Sequence, residues 1–326
     1  MLEPPSTPSA SATVVIAGTG LAELTCAWLL LARGHQVSIR SAGPAAGARP
    51  LLLNEPTLDL LHALWGGEPV SDCHRLAHRQ VVWGPGGGAT GRRLPQPAVV
   101  VDGARLAERL LGRLSVRYPD ALCEAPGIPR WTVTAAGPPD HWTAGRRHLL
   151  AGEAPLAPDA DGTTALLVCT DLAWLHLTPL GGGRALLQAM IPGPAARPAE
   201  LLERLLADSA LSPVLLHAPA AVVSLPAAPR LHRTPAAPGR LLVGAGAIRF
   251  DPLSGTGTAQ ALRTALLATA TVHAEATGTP LDPLLTHYAT RLRTAFNDHL
   301  ATCARLYPQA FTSPAWQHEL EACWAR

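Results

Sequence analysis

The stretch Val14-Val15-Ile16-Ala17-Gly18-Thr19-Gly20-Leu21-Ala22-Glu23 lies near the start of this 326-residue chain. Its first four apolar residues predict a buried strand, the Gly-x-Gly predicts a tight turn, and the apolar residues that follow predict a helix. A second strand is predicted at Gln36-Val37-Ser38-Ile39-Arg40-Ser41. A helix that begins directly after such a turn presents backbone N–H groups to an anion such as pyrophosphate. The stretch therefore predicts a Rossmann-like nucleotide-binding unit.

A second glycine-rich segment lies about 230 residues later. Leu241-Leu242-Val243-Gly244-Ala245-Gly246 predicts a strand and turn, and the loop Asp251-Pro252-Leu253-Ser254-Gly255-Thr256-Gly257-Thr258 precedes a segment rich in alanine and leucine. A lone Gly-x-Gly is weak evidence, whereas the two segments together are much more specific. We therefore predict that both turns serve one cofactor.

On these two segments the chain resembles the FAD-dependent monooxygenase superfamily. That superfamily contains aromatic hydroxylases, tryptophan halogenases and flavoproteins that mature tryptophan-derived quinone cofactors. The resemblance runs from residue 13 to about residue 275. It implies an α/β fold with a Rossmann-like FAD-binding domain, an inserted substrate domain built on a mixed β-sheet, and C-terminal helices. The expected boundaries are 1–12 for a disordered N-terminus; 13–50, 95–137 and 236–280 for the FAD-binding domain; 51–94 and 138–235 for the substrate domain; and 281–326 for the C-terminal helices.

The resemblance also implies which residues contact FAD. They are Gly18, Gly20, Leu21, Ser41, Arg49, Gly244, Ala245, Asp251, Pro252, Gly255, Thr256, Gly257 and Thr258. Three positions depart from the family pattern: Glu23 replaces the third glycine of the first turn, Ser41 replaces an acidic ribose ligand, and Ala245 replaces an aspartate that binds the ribityl chain. Losing two anionic acceptors weakens a nucleotide site, so we expect FAD to bind with reduced affinity.

Three residues are candidates for the chemistry. Arg49 corresponds to an arginine that several family members direct toward the flavin, with an exposed loop arginine as the alternative. His176 could act as an acid or base from the substrate sheet, although a histidine between Leu175 and Leu177 is more often a hydrogen-bonded structural residue. Asp251 could transfer a proton, but Asp-Pro before a helix favours capping of backbone N–H groups.

The implied activity is hydroxylation of an aromatic substrate through a flavin hydroperoxide, with electrons from NAD(P)H or a flavin reductase. The substrate would be a small aromatic molecule, or a tryptophan or tyrosine of a peptide or partner protein. One alternative is a degenerate accessory or binding subunit with weak or no FAD. Another is an NADP-linked oxidoreductase, in which Arg40-Ser41 receives the 2′-phosphate.

Halogenation is disfavoured by the residue content. Halogenases of this fold share a catalytic lysine and a Trp-x-Trp-x-Ile-Pro motif. This chain contains no lysine: all 26 residues in its Lys+Arg count are arginine. The stretch Trp174-Leu175-His176-Leu177-Thr178-Pro179 retains the first tryptophan and the proline but has His176 at the second tryptophan.

Composition disfavours several other classes of partner. The formal net charge of +2 and the absence of a basic stretch with interleaved aromatics argue against nucleic acid. Six cysteines without a Cys-x-x-Cys pair indicate reduced thiols in a cytoplasmic protein. No signal sequence or membrane-spanning apolar run is apparent.

His74 and His78, at i and i+4 beside Cys73, would form a metal edge only on a helix, and without a further ligand nearby in the sequence we expect no metal site.

Overall fold

The computed structural model describes residues 11–40, 50–84, 91–123 and 128–323. Ser41, Arg49 and residues 1–10 of the segment expected to be disordered lie outside this described part. The α-helices are α1 (Leu21–Leu31), α2 (Glu55–Trp65), α3 (Gly103–Arg117), α4 (Pro198–Ala207), α5 (Gly244–Ala247), α6 (Gly257–Ala276), α7 (Leu281–Leu306) and α8 (Pro314–Ala322). No helix in the described part is both long enough and apolar enough to cross a membrane.

The strands form three sheets. The first contains β1 (Thr13–Ala17), β2 (Gln36–Arg40), β6 (Trp131–Thr134), β14 (Ala236–Ala237) and β15 (Arg240–Leu242). The second contains β3 (Pro50–Asn54), β4 (His74–Val82), β5 (Arg92–Asp102), β8 (His148–Pro155), β9 (Thr164–Cys169), β10 (Trp174–Gly181), β11 (Arg184–Ile191) and β12 (Val223–Pro226). The third contains β7 (His141–Thr143), β13 (Arg230–His232) and β16 (Ile248–Arg249).

The first sheet carries the predicted nucleotide-binding unit. Its strand order is β14-β15-β6-β1-β2, and β1 runs parallel to both β2 and β6. Val14, Val15 and Ile16 are all at most 4% exposed, and because successive side chains point to opposite faces, the strand is covered on both faces. Helices α1 and α6 pack closely beside this sheet, because small residues such as Ala27 and Ala265 lie in the same core. The predicted strand, glycine turn and helix are therefore present in this order.

The second sheet is mixed, with strand order β12-β8-β11-β10-β9-β4-β5-β3. Strands β9, β10 and β11 are antiparallel, whereas β4 pairs with β9 in parallel. Alternation along β10 directs Leu175 and Leu177 into one apolar core with Leu205 of α4. Trp174 and His176 instead line a cavity on the opposite face. A mostly parallel sheet, in which only β14 is antiparallel to its neighbour, lies beside a mixed sheet with helices at the C-terminus, and this arrangement confirms the predicted fold class.

One predicted element is wrong. The spacing of apolar residues after Pro50 predicts a helix through Leu61, but residues 50–54 form strand β3 and the helix begins at Glu55. Leu51 to Leu53 pair with Val101 to Val99 of β5, and this tertiary pairing outweighs the local helical pattern. The side chain of Asn54 accepts the backbone N–H of Thr57 at 3.2 Å and so caps α2.

Strand β5 and the segment between the C-terminal helices both belong with the second sheet. The expected domain boundaries divide Arg92–Asp102 between two domains, and in the structure this strand lies entirely in the second sheet. Helices α7 and α8 lie in the region predicted to be helical from Leu281 onward. The short turn between them contains Tyr307 and Phe311, which pack on the second sheet beside Trp174.

Candidate active site

The two glycine turns predicted to serve one cofactor lie together. Gly18 adopts φ +135° and Gly244 adopts φ +54°, both of which favour glycine. A Cβ placed on Gly244 would stand 3.2 Å from the Cβ of Ala22 in α1, so the two turns are in direct contact. Ala245 follows with its side chain exposed. Strands β1, β6 and β15 are parallel, and their carboxyl ends therefore meet at the edge where open α/β sheets bind ligands.

The first turn has an acidic side chain against it. Glu23 is 6% exposed and lies in the first turn of α1. One carboxylate oxygen accepts the backbone N–H of Ala135, directly after β6, at 2.9 Å. The same carboxylate is within 2.8 Å of the point where a Cβ on Gly18 would stand and 2.6 Å of that on Gly20. The departure noted at Glu23 therefore places a carboxylate inside the glycine turn.

The late loop is shaped by Asp251. Its carboxylate accepts the backbone N–H of Leu253 at 2.9 Å, as the capping hypothesis predicts. Gly255 has φ +60°, and a Cβ on Gly255 or Gly257 would meet no atom within 4 Å. Thr256 precedes α6 without a side-chain cap for that helix. The loop therefore offers open backbone and free helix N–H groups, including those at Gly257 and Thr258, to a group approaching from outside.

Asp251 is itself held by buried charge. Arg147 is fully buried and donates to Asp251 at 2.7 Å and to Glu319 of α8 at 3.0 Å. Its guanidinium lies over the ring of Tyr307 at 5.0 Å, and the Tyr307 hydroxyl donates to Asp251 at 2.8 Å. Despite desolvation, the charge of Asp251 holds the pKa of Arg147 well above its ordinary value. This cluster joins the late loop to the C-terminal helix, which favours a positioning role for Asp251 over proton transfer.

A cavity of about 70 Å³ lies between the second sheet and the late loop. At roughly 10–15 Å³ per water, this volume holds about five waters. Its walls include Trp174, His176, Arg79, Gln188 and the loop residues Pro252 to Gly255. The structure therefore brings His176 and the late loop to one cavity, while the side chain of Asp251 lies behind it.

Two buried polar atoms on residues that line this cavity, Nε2 of His176 and Nε of Arg79, have no hydrogen-bond partner of normal geometry among the described residues. Burial lowers the pKa of His176 to about 4, with a further contribution from the nearby charge of Arg79, so the imidazole is neutral at pH 7. The Gln188 side chain nevertheless lies close enough to His176 to raise its pKa in part. Burial also lowers the pKa of Arg79. A buried polar group without a partner costs free energy, and both residues line the cavity, so their side chains are candidates to contact a bound molecule.

Aromatic side chains close the other half of this sheet face. The indole N–H of Trp174 donates to the Tyr307 hydroxyl at 3.0 Å. Trp316 of α8 stacks on Phe311 with ring centroids 4.4 Å apart. Trp83 meets both Tyr307 and Phe311 edge to face. These rings confine the cavity to the side where Arg79 and His176 lie, because they exclude water and ligand from the rest of the face.

The backbone around the two turns fits FAD, with one side chain against it. Gly18, Gly20 and the start of α1 have the strand-turn-helix backbone that would present N–H groups to a pyrophosphate, and Gly255 and Gly257 leave space beside α6. Leu21 is partly buried as the first residue of α1. Ala245 offers no acceptor to the ribityl chain, and Glu23 places negative charge at the pyrophosphate end. Ser41 and Arg49 lie outside the described residues.

Several residues of this site were not predicted from the sequence. Arg79 lies on β4, and no local pattern distinguishes it from the exposed Arg75 on the same strand. Arg147, Tyr307 and Glu319 are separated from Asp251 by 56 to 104 residues along the chain. The local sequence offers one signal that Arg147 is buried, its position directly before the apolar strand β8, and arginines in such positions are too common for this signal to be informative.

Comparisons with known proteins identify this architecture. No protein-family model matches the chain, and no curated protein matches it. Among solved structures, the peptidyl tryptophan dihydroxylase QhpG, essential for tryptophylquinone cofactor biogenesis, is similar with TM-score 0.78 and 20% identity over 95% of this chain and 78% of that chain. The myxobacterial chondrochloren halogenase CndH, a variant of FAD-dependent halogenases, has TM-score 0.77 and 15% identity, over 96% and 86%. Klebsiella pneumoniae HpxO, complexed with FAD and uric acid, has TM-score 0.66 and 15% identity, over 88% and 86%.

These similarities show the fold. The chain has the architecture of FAD-dependent monooxygenases and halogenases, as its glycine-rich segments and its His176-containing sheet predict. The same architecture serves both hydroxylation and halogenation in those proteins. The chemistry of this chain must therefore be inferred from its own site.

Proposed function

We propose that this chain is an FAD-dependent monooxygenase that hydroxylates an aromatic substrate. The observation that carries the proposal is the cavity beside Pro252 to Gly255, which the side chains of His176, Arg79 and Trp174 line. FAD, when bound, would supply oxygen activation, which no side chain provides. Gly18, Gly20, Gly244, Gly255 and the N-terminus of α6 would hold it.

The protein's own groups would orient and isolate the substrate. Trp174 offers an apolar wall that excludes water from the ring. Neutral His176 has Nδ1 3.3 Å from the Thr178 hydroxyl. If Thr178 donates this hydrogen bond, Nε2 carries the proton and donates into the cavity. His176 would then donate a hydrogen bond from Nε2 to a substrate oxygen, and in this tautomer it would not act as a base at Nε2.

The charge of the cavity supports a substrate with an acidic group. No aspartate or glutamate is among the described residues that line it, and no described carboxylate forms an ion pair with Arg79. Arg79 is partly buried, and a guanidinium removed from water is best stabilised by a carboxylate in a two-pronged geometry. We therefore propose a small aromatic acid as the first substrate class to test. The second class is a tryptophan or tyrosine in a peptide, which the similarity to QhpG supports.

The first test is an absorbance spectrum of the purified protein, before and after incubation with FAD and desalting. The proposal expects flavin bands at about 370 and 450 nm that survive desalting at high protein concentration. Aromatic acids and tryptophan- or tyrosine-containing peptides are then supplied with NAD(P)H or a flavin reductase, and oxygen incorporation is followed by mass spectrometry. A flavin-loaded protein that oxygenates neither class would contradict the proposal.

A second candidate function is a binding or accessory subunit with weak or no FAD. The specific observation that favours it is the carboxylate of Glu23 inside the first glycine turn. A protein that remains colourless after incubation with excess FAD, while folded and monodisperse, would favour this function. The accessory subunit would then use the same cavity to bind a molecule without transforming it.

Ala245→Asp is expected to strengthen FAD binding by about three- to tenfold, the effect of one added net hydrogen bond. Ala245 is exposed directly after Gly244, so an aspartate there can reach a ribityl hydroxyl without disturbing the core. Fluorescence titration of FAD measures the dissociation constant. Ala245→Asn is the matched control, since it adds similar bulk without charge. An unchanged dissociation constant in Ala245→Asp would show that this turn does not face the ribityl chain.

A further inference from the structure

The carboxylate of Glu23 occupies an unusual place for an acidic side chain. It is buried at the N-terminal end of α1, where the positive end of the helix dipole and unpaired N–H groups lie. It accepts the N–H of Ala135 at 2.9 Å and also its own backbone N–H. The carboxylate thus takes hydrogen bonds that a bound anion would otherwise receive.

The strand order of the first sheet shows that Glu23 lies where such sheets bind dinucleotides. In the first sheet β1 continues through α1 to β2 on one side, while β6 lies on its other side. The crevice between β1 and β6 is therefore the point where strand order reverses, and dinucleotides bind at such points. Glu23 spans this crevice from α1 to Ala135, at the end of β6.

The contacts with the glycines locate the carboxylate within the turn. The second glycine of a Gly-x-Gly turn normally leaves room for pyrophosphate to approach the backbone. Here the space beside Gly20 holds an oxygen of Glu23, 2.6 Å from where a Cβ would stand, and the space beside Gly18 holds the other oxygen at 2.8 Å. A pyrophosphate and this carboxylate cannot share that space, and their negative charges repel each other.

We infer that Glu23 is an internal occupant of the pyrophosphate site, and that a dinucleotide binds only after this side chain has left the turn. The inference rests on the proposed function for the identity of the dinucleotide as FAD. Burial raises the pKa of Glu23, although N–H donation from its own amide and from Ala135 lowers it in part. The Glu23 carboxylate would lower FAD affinity further than the loss of acceptors at Ser41 and Ala245 predicts.

The test compares Glu23→Gly, Glu23→Gln and wild type for binding of FAD and of ADP, which carries the pyrophosphate without the flavin. Calorimetry measures both dissociation constants, and circular dichroism verifies folding. Glu23→Gly is expected to bind ADP at least tenfold more tightly than wild type, because the crevice becomes free. Glu23→Gln should show a smaller gain, since the charge is removed but the volume remains. Glu55→Gln, at the exposed first turn of α2, is the matched control and should change neither constant.

The outcomes separate this inference from the proposed function. Tighter ADP binding by Glu23→Gly, with FAD no tighter than ADP, would support the inference and count against flavin chemistry. Equal ADP affinity in wild type and Glu23→Gly would overturn the inference, because the carboxylate would then not obstruct the site. Absence of ADP binding in folded Glu23→Gly would also overturn it.

Discussion

Arg147→Met is expected to lower the free energy of unfolding by about 3–5 kcal/mol, the usual cost of removing one partner from a buried ion pair. The guanidinium is the shared partner of Asp251 and Glu319, and all three side chains are at most 1% exposed. Methionine fills much of the space, but it leaves two carboxylates buried without their cation. Chemical denaturation followed by tryptophan fluorescence measures the loss.

Two further variants show whether charge or packing causes this loss. Arg184→Met removes an exposed ion pair with Glu153 and should cost no more than about 1 kcal/mol. Adding Asp251→Asn and Glu319→Gln to Arg147→Met should recover part of the lost stability, because no buried charge then remains unpaired. A loss below about 1 kcal/mol in Arg147→Met alone would refute the assignment of this cluster as the support of the late loop.

Arg79→Gln is expected to weaken binding of an aromatic acid by about 10- to 100-fold, the value of a charge-assisted hydrogen bond. The probe pair is benzoate and benzamide, which share a ring and differ in charge. Wild type should prefer benzoate, and Arg79→Gln should lose that preference while its affinity for benzamide stays the same. Binding is followed through the fluorescence of Trp174 and the other tryptophans, or by calorimetry, in protein without FAD.

The matched control is Arg75→Gln, because Arg75 lies on the same strand but is exposed. It should leave both affinities unchanged. If Arg79→Gln weakens FAD and leaves benzoate unaffected, the guanidinium serves the flavin and the aromatic-acid class is rejected. If both arginine variants weaken benzoate equally, the effect is a general one of surface charge, and Arg79 has no special place in substrate binding.

The parts of the fold that follow from local pattern could be predicted from the sequence. The apolar run before Gly18 and the two glycine-rich turns have few other structural interpretations, and the structure brings those turns together as expected. The capping role of Asp251 likewise follows from Asp-Pro chemistry and is present at Leu253. The helix predicted after Pro50 is wrong from 51 to 54 because pairing with β5 is a long-range interaction that periodicity does not reveal.

The amino-acid sequence by itself thus determined the nucleotide-binding architecture and the positions of its departures at Glu23 and Ala245, because helix starts, strands and glycine turns depend on neighbouring residues. Only the tertiary structure decided where the Glu23 carboxylate lies, which arginine faces the cavity, and how Asp251 is held. Those properties depend on burial and on contacts between residues far apart in the chain. Arg147 and Asp251 are 104 residues apart in sequence and 2.7 Å apart in space, and no local pattern specifies that distance.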